Sequence, residues 1–168
     1  TYEVTATNTL TGCETTKTIV VNESEFPLFD LNDLTVFDLT GDGSNRIEIL
    51  TGIGALGIGD YEFALDGGPY QDSPIFEHVP PGIHQVSVRD KNGCGTKSVA
   101  ASVIGYPLYF TPNGNGQDDN WHVLGVNGVF QSQSLIYIFD RHGRLLAQIK
   151  TNGPGWDGTY NGTPMPAD

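Results

Sequence analysis

Basic residues are scarce in this chain. Eight Lys and Arg stand against 20 Asp and Glu among 168 residues, a net charge of −12. The eight are scattered, and neutralising phosphates takes clustered Lys and Arg, so nucleic acid is disfavoured as a partner. An acidic surface instead suits a soluble secreted protein and raises the local concentration of divalent cations. Long apolar runs are also missing. No stretch of 18 apolar residues occurs, so nothing reads as a transmembrane segment. There is no signal peptide. Residue 1 falls inside an amphipathic strand pattern, so the chain is expected to be a piece of something longer, and the absent leader says nothing about compartment. Cysteine is limited to Cys13 and Cys94. A disulfide between them is one option in an oxidising compartment, but an internal repeat sets them in different domains.

Catalytic signatures are missing as well. There is no Gly-x-Ser-x-Gly elbow and no Walker loop. His78, His84, His122 and His142 lack the i, i+4 spacing of a helical zinc site, and neither cysteine lies in a paired motif. His142 reads as a turn residue. The acidic residues offer no pair singled out for glycoside cleavage. Gly52-Ile53-Gly54-Ala55-Leu56-Gly57 matches the dinucleotide fingerprint letter for letter. That chemistry needs a helix N-terminus to hold the pyrophosphate, and Ile58-Gly59-Asp60 with another strand comes next instead. The segment reads as a Gly-rich connection between strands, and the chain as a non-enzyme without a bound cofactor.

What is abundant is turn chemistry. Helix formers are few, while 22 Gly and 10 Pro stand beside many Thr and Asn. Six Asn-Gly pairs begin at Asn92, Asn113, Asn115, Asn127, Asn152 and Asn161. Both residues tolerate positive φ, so these are hairpin and turn signals. The expected fold is all-β, with short strands and no helices.

A repeat organises the first two thirds. Tyr2 to Thr7 alternates, Gly12-Cys13 comes after it, and Thr16-Lys17 opens a second strand. His84 to Arg89 alternates, Gly93-Cys94 comes after it, and Thr96-Lys97 opens the next. With a one-residue shift the period is near 81 residues, one β-sandwich module per repeat. Residues 1–24 then end a preceding immunoglobulin-like module, and 28–105 form a complete one. Its strands are expected at 34–39, 46–50, 61–65, 83–88 and from Cys94 through Val103. About 78 residues suffice for a small two-sheet core of modest stability. The aromatic group Tyr61, Phe63, Tyr70 and Phe76 raises the alternative of a polysaccharide-binding adhesive module.

The remaining residues, 106–168, hold the candidate site. In Asn113-Gly114-Asn115-Gly116-Gln117-Asp118-Asp119, oxygen-bearing side chains alternate with glycines, as in the first half of an EF-hand loop. Asn113, Asn115, Asp118 and Asp119 are the candidate calcium ligands. Three of the alternate positions carry amides and no bidentate Glu comes after them, so two Asn-Gly turns bonded to their own backbone are the other reading. Asp38 to Gly43 is a second, weaker acidic turn. Trp121 and Trp156 read as core anchors, with a sugar-stacking platform as the alternative.

Three motifs carry a family resemblance. Phe110-Thr111-Pro112-Asn113-Gly114-Asn115-Gly116-Gln117-Asp118-Asp119-Asn120-Trp121 resembles a "TPNxDGxND-x-W/F" opening. Ile136 to Leu146, with Phe139-Asp140-Arg141-His142-Gly143 at its centre, resembles an "I-x-I-F-(D/N)-R-x-G" hairpin. Gly155-Trp156-Asp157-Gly158-Thr159-Tyr160-Asn161-Gly162, with Pro164 to Asp168, resembles "GWDGxxNGxxxPxxxY". The family is the gliding-motility-associated C-terminal domain of Bacteroidetes surface proteins, the type B sorting domain of the type IX secretion system. The motif residues this resemblance marks are Thr111, Pro112, Asn113, Trp121, Phe139, Asp140, Arg141, Gly143, Gly155, Trp156, Asp157 and Gly158. Asn115 departs from the family's usual Asp, which weakens the calcium reading. The family pattern continues past position 168 with further strands, so the C-terminal module is expected to be incomplete here. Residues 61–68, 79–84 and 88–94 resemble the repeat that precedes such domains in large gliding adhesins. The resemblance implies protein transport: passage from the periplasm through an outer-membrane translocon, a type B β-barrel partner, and an extracellular or cell-surface destination.

Overall fold

The computed structural model describes residues 1–52 and 54–166. Among them the strands are β1 (Tyr2–Thr7), β2 (Glu14–Ile19), β3 (Leu34–Phe37), β4 (Arg46–Ile49), β5 (Tyr61–Leu65), β6 (Ile75–Phe76), β7 (Gly82–Asp90), β8 (Thr96–Val103), β9 (Leu135–Phe139), β10 (Leu145–Lys150), β11 (Thr159–Tyr160) and β12 (Thr163–Pro164). Their only helical company is one 3-10 turn, Leu31–Asp33, closed by an Asp30–Asp33 capping box. The all-β expectation is met.

Two antiparallel sheets of three strands, β3-β4-β6 and β5-β7-β8, form the sandwich. Period-two alternation explains the choice of face. Ile47 and Ile49 of β4 are buried while Arg46 and Glu48 lie at the boundary. Val86 and Val88 of β7, Phe63 of β5 and Val103 of β8 meet them from the other sheet. Phe29, Leu56 and Val79 fill the core from the connections. Each such side chain contributes about 1.5–3 kcal/mol on burial. On the outer face of β7, Ser87 bonds Ser98 across the ladder at 2.8 Å.

The core's contacts begin before residue 28. Glu25 N–H donates to Ile58 O at 2.8 Å, and Ser24 Oγ donates to Asp90 Oδ1 at 2.5 Å. Phe26 covers Gly95, where an added Cβ would lie 2.5 Å from the ring, and Pro27 is fully buried. By contrast β1 and β2 form a free-standing hairpin whose residues are all exposed. Its turn closes like the β7–β8 turn. Asn8 N–H donates to Cys13 O, and Asp90 N–H donates to Gly95 O, at 2.8 and 3.0 Å. Cys13 and Cys94 are both free thiols.

The Gly-rich connection joins β4 to β5 without a helix, as expected; Ile53 of that motif lies outside the described residues. Residues 104–166 are built differently from the sandwich. They contain the β9–β10 hairpin, the small β11–β12 hairpin, and isolated bridges Gly105–Leu124 and Trp121–Trp156. Ala167 and Asp168, the last residues of the third motif, also lie outside the described residues.

Candidate functional site

The Asn-rich loop folds around one carboxylate. Asp119 Oδ1 accepts the N–H groups of Asn113 and Gly114 at 3.0 and 2.6 Å, and Oδ2 accepts that of Gly116 at 2.6 Å. The Gly116 and Gly114 N–H groups hold its pKa below the usual carboxylate range. Asn113 Oδ1 accepts Asn115 N–H, and Asn115 Oδ1 accepts Gln117 N–H, as in Asx turns. Thr111 N–H donates to Asp118 O at 2.7 Å, which ties the ends of the loop. The Asn113, Asn115 and Asp119 oxygens that would hold calcium therefore already face backbone donors. Among the described residues no three His, Cys, Asp or Glu side chains gather as a metal site. In the second acidic turn, Asp38 Oδ2 instead accepts Ile104 N–H and Asp42 Oδ1 accepts Ser44 N–H.

The two tryptophans are paired through their backbones. Trp121 and Trp156 exchange N–H···O bonds, both at 2.8 Å. Each indole is also satisfied, Trp121 Nε1 by Pro107 O and Trp156 Nε1 by Thr159 O, both at 2.9 Å. Tyr106 packs on Trp121 and Phe110 on Trp156, with ring centroids 6.2 and 5.7 Å apart. Gly155, at φ +89°, lets the strands approach, because a Cβ there would sit 2.5 Å from Trp121 O. Gly158 likewise faces the Phe110 ring and Pro112. Asp157 caps the turn by accepting Thr159 N–H and Oγ1–H, and the Thr159 bonds lower its pKa.

The hairpin motif is closed by Asp140. Its Oδ1 accepts the N–H groups of His142 and Arg144, both at 2.9 Å, and Oδ2 meets Arg144 Nε at 3.1 Å. The Arg144 N–H leads in holding its pKa down. Gly143 takes φ +81°, the left-handed conformation such a turn requires. Arg144 lies over the Tyr160 ring at 4.8 Å, which links the hairpin to β11. His142 and Arg141 are exposed turn residues.

These pieces meet in one place. Residues far apart in sequence, Phe110 and Pro112, Trp121, Ile136 and Ile138, Trp156 and Met165, line one trough of roughly 920 Å³. Phe139, Asp140, Arg141 and Gly158 also border it. Thr111 and Asn113 shape its entry loop, Gly143 turns the hairpin, and Gly155 and Asp157 frame Trp156. So the three motifs build one structure. Residues 104–168 match the family model of the CHU_C type IX secretion signal domain. The resemblance first seen in the motifs is thereby shown for this segment, which carries a C-terminal sorting signal. Such a domain is not a catalytic family, and its signal implies export to the cell surface or the extracellular space through contact with the secretion system. Neither curated proteins nor solved structures gave a match to the chain. Among the described residues no helix is long and apolar enough to cross a membrane.

Outside the sorting-signal segment, the aromatic group of the sandwich does not gather on one surface. Phe63 and Phe76 are core residues, and Tyr70 lies under Arg89, whose guanidinium sits 3.7 Å from the ring centre and also bonds Glu62. Two features escaped sequence reasoning. His84 is buried, with Nδ1 at 2.7 Å from Asp66 Oδ2 and Nε2 at 2.7 Å from Pro80 O. The other is the tether Phe26-Pro27-Leu28-Phe29, which recurs as Tyr106-Pro107-Leu108-Tyr109. Aligning the segments C-terminal to the two Gly-Cys turns reveals it.

Proposed function

We propose that residues 104–168 direct the protein across the outer membrane by the type IX secretion system, and that an outer-membrane translocon and a type B β-barrel partner recognise the folded segment. The observation that carries this reading is the convergence of the three motifs on one trough, within the stretch that matches the signal-domain family. The trough and the outer edge of β9, which no described strand pairs, offer apolar contact and strand addition as the modes of recognition. A reporter sent to the periplasm and carrying residues 28 onward to the protein's natural C-terminus tests it in a host that has this system. The reporter is expected in the medium or on the cell surface. Retention in the periplasm, with the fusion intact and folded, sinks the idea.

We read the preceding sandwich as a spacer rather than a glycan-binding module, because two of its four candidate aromatics are spent on the core. We read the Asn113–Asp119 loop as a turn closed on its own backbone rather than a calcium site. Calorimetric titration with calcium is expected to give no heat and no shift of the melting point. Stoichiometric binding that is lost in Asp119→Ala but kept in Asp42→Ala would overturn this.

A further inference from the structure

We propose that the sandwich module is the folding platform of the sorting-signal segment, so that the signal is held in shape only while the module beside it is folded. The segment has little core of its own. Beyond Val103, no described large apolar side chain is fully buried, and Leu108, Tyr109 and Val129 are largely exposed. Trp121 and Trp156 are only half-buried. A unit with so little buried apolar area is marginal alone.

Stability has a visible external source. Gly105 and Leu124 exchange N–H···O bonds at 3.3 and 2.7 Å, so Leu124 of the segment pairs antiparallel with the backbone just past the end of β8. Ser102 Oγ, on β8, donates to Gly125 O at 2.6 Å. Gly125 sits so close to the Val103 carbonyl that a Cβ would overlap it, and its φ of +78° favours glycine in any case. Gly105 packs on Pro81 of the module with the same lack of room. On its other side Ile104 is held by the module: its N–H donates to Asp38 Oδ2 at 2.9 Å and its carbonyl accepts Leu39 N–H at 3.4 Å. The strand that ends the module is thus also the first edge of the segment, and no free linker lies between them.

The recurring tether supports this independently. In its first copy, Phe26 covers Gly95 and Phe29 enters the core, so the tether belongs to the unit on its C-terminal side. In the second, Tyr106 packs on Trp121 and Pro107 O accepts its Nε1–H, again inside the unit on the C-terminal side. The family match begins at residue 104, already within the bonds made by Asp38 and Leu39.

The chain's two tryptophans both lie in the segment, so indole emission reports on it alone. The test is denaturant unfolding of the full chain, monitored by that emission and by circular dichroism. Ile47→Val, in the module core and far from either tryptophan in sequence, is expected to raise the unfolding constant roughly two- to ten-fold by both signals together. A tryptophan transition that stays in place while the dichroism transition moves would overturn the proposal. Gly125→Val is expected to move the tryptophan transition to lower denaturant and separate it from that of the module. Should that variant fail to fold, Ser102→Ala removes a single hydroxyl bond and is expected to shift the tryptophan midpoint in the same direction. An unmoved midpoint in Ser102→Ala, together with an independent response to Ile47→Val, leaves the segment a self-standing domain. No secretion assay enters, so failure here leaves the sorting reading untouched.

Discussion

Asp90 is nearly inaccessible, yet it is held as a carboxylate. The Ser24 hydroxyl, then the Cys94 N–H and Asn92, depress its pKa to about 2 from the usual 3.8. A depressed carboxylate stabilises the fold above its unfolded pKa and loses that contribution as pH falls through the folded value. The loss therefore falls between about pH 4 and pH 2 for Asp90. Asp66 shifts the same way: burial pushes its pKa up, and bonds from His84 and Gln85 N–H outweigh that. Urea midpoints measured from pH 6 to pH 2 are expected to fall in acid, and to fall less steeply in Asp90→Asn. An equal slope in that variant would show that the bond to Ser24 does not distinguish folded from unfolded chain. None of this was legible in the sequence. Asp-Lys-Asn-Gly-Cys reads as a turn, but nothing in it announces that Ser24, 66 residues earlier, supplies the donor.

Strands with clear alternation were the legible elements. Tyr61–Leu65 appears as expected, while 83–88 lengthens to Gly82–Asp90. The expected strands at 34–39 and 46–50 shorten to Leu34–Phe37 and Arg46–Ile49, because the turn chemistry at Asp38–Gly43 and Leu50–Gly52 takes over. The two-residue strands β6, β11 and β12 are too short to show any period. Alternation in β9 has a further use. Ile136 and Ile138 are half-buried against the trough, Tyr137 and Phe139 border it but are exposed, and Leu135 is exposed outside it. Ile138→Ala is expected to cost about 1–3 kcal/mol in thermal unfolding, below the full core range because the site is only half-buried. Leu135→Glu, opposite Lys150, should stay within about 0.5 kcal/mol while reducing self-association at high protein concentration. Equal losses from both would mean that the outer face is covered in solution.

For the whole molecule, the sequence carried the motifs and their order but not their meeting. Only the fold brings residues 110–121, 136–146 and 155–165 to one trough, since each motif's spacing is set by local turns while their approach depends on the Trp121–Trp156 bridge and on Arg144 over the Tyr160 ring. The acidic residues are concentrated before residue 106, whereas Arg141 and Arg144 sit at the turn of the β9–β10 hairpin and Lys150 at its open end. Exposure is divided too. The β1–β2 hairpin stands apart from the sandwich, and an isolated two-stranded hairpin is marginal in water. Brief trypsin treatment is expected to cut after Lys17 before it cuts after Arg46 or Arg89, as read by mass spectrometry. Early cleavage at Arg89 would contradict the sandwich.

The joint at residues 102–105 has a mechanical consequence. Val103 ends β8, Ile104 is bonded to the module and Gly105 to Leu124, so there is no slack chain to extend. Tension applied between the segment and the chain before it would reach the sandwich directly, through the few hydrogen bonds at this joint. The junction would act as a strut rather than a swivel, and the force that breaks it would be set by β8 rather than by the length of any linker.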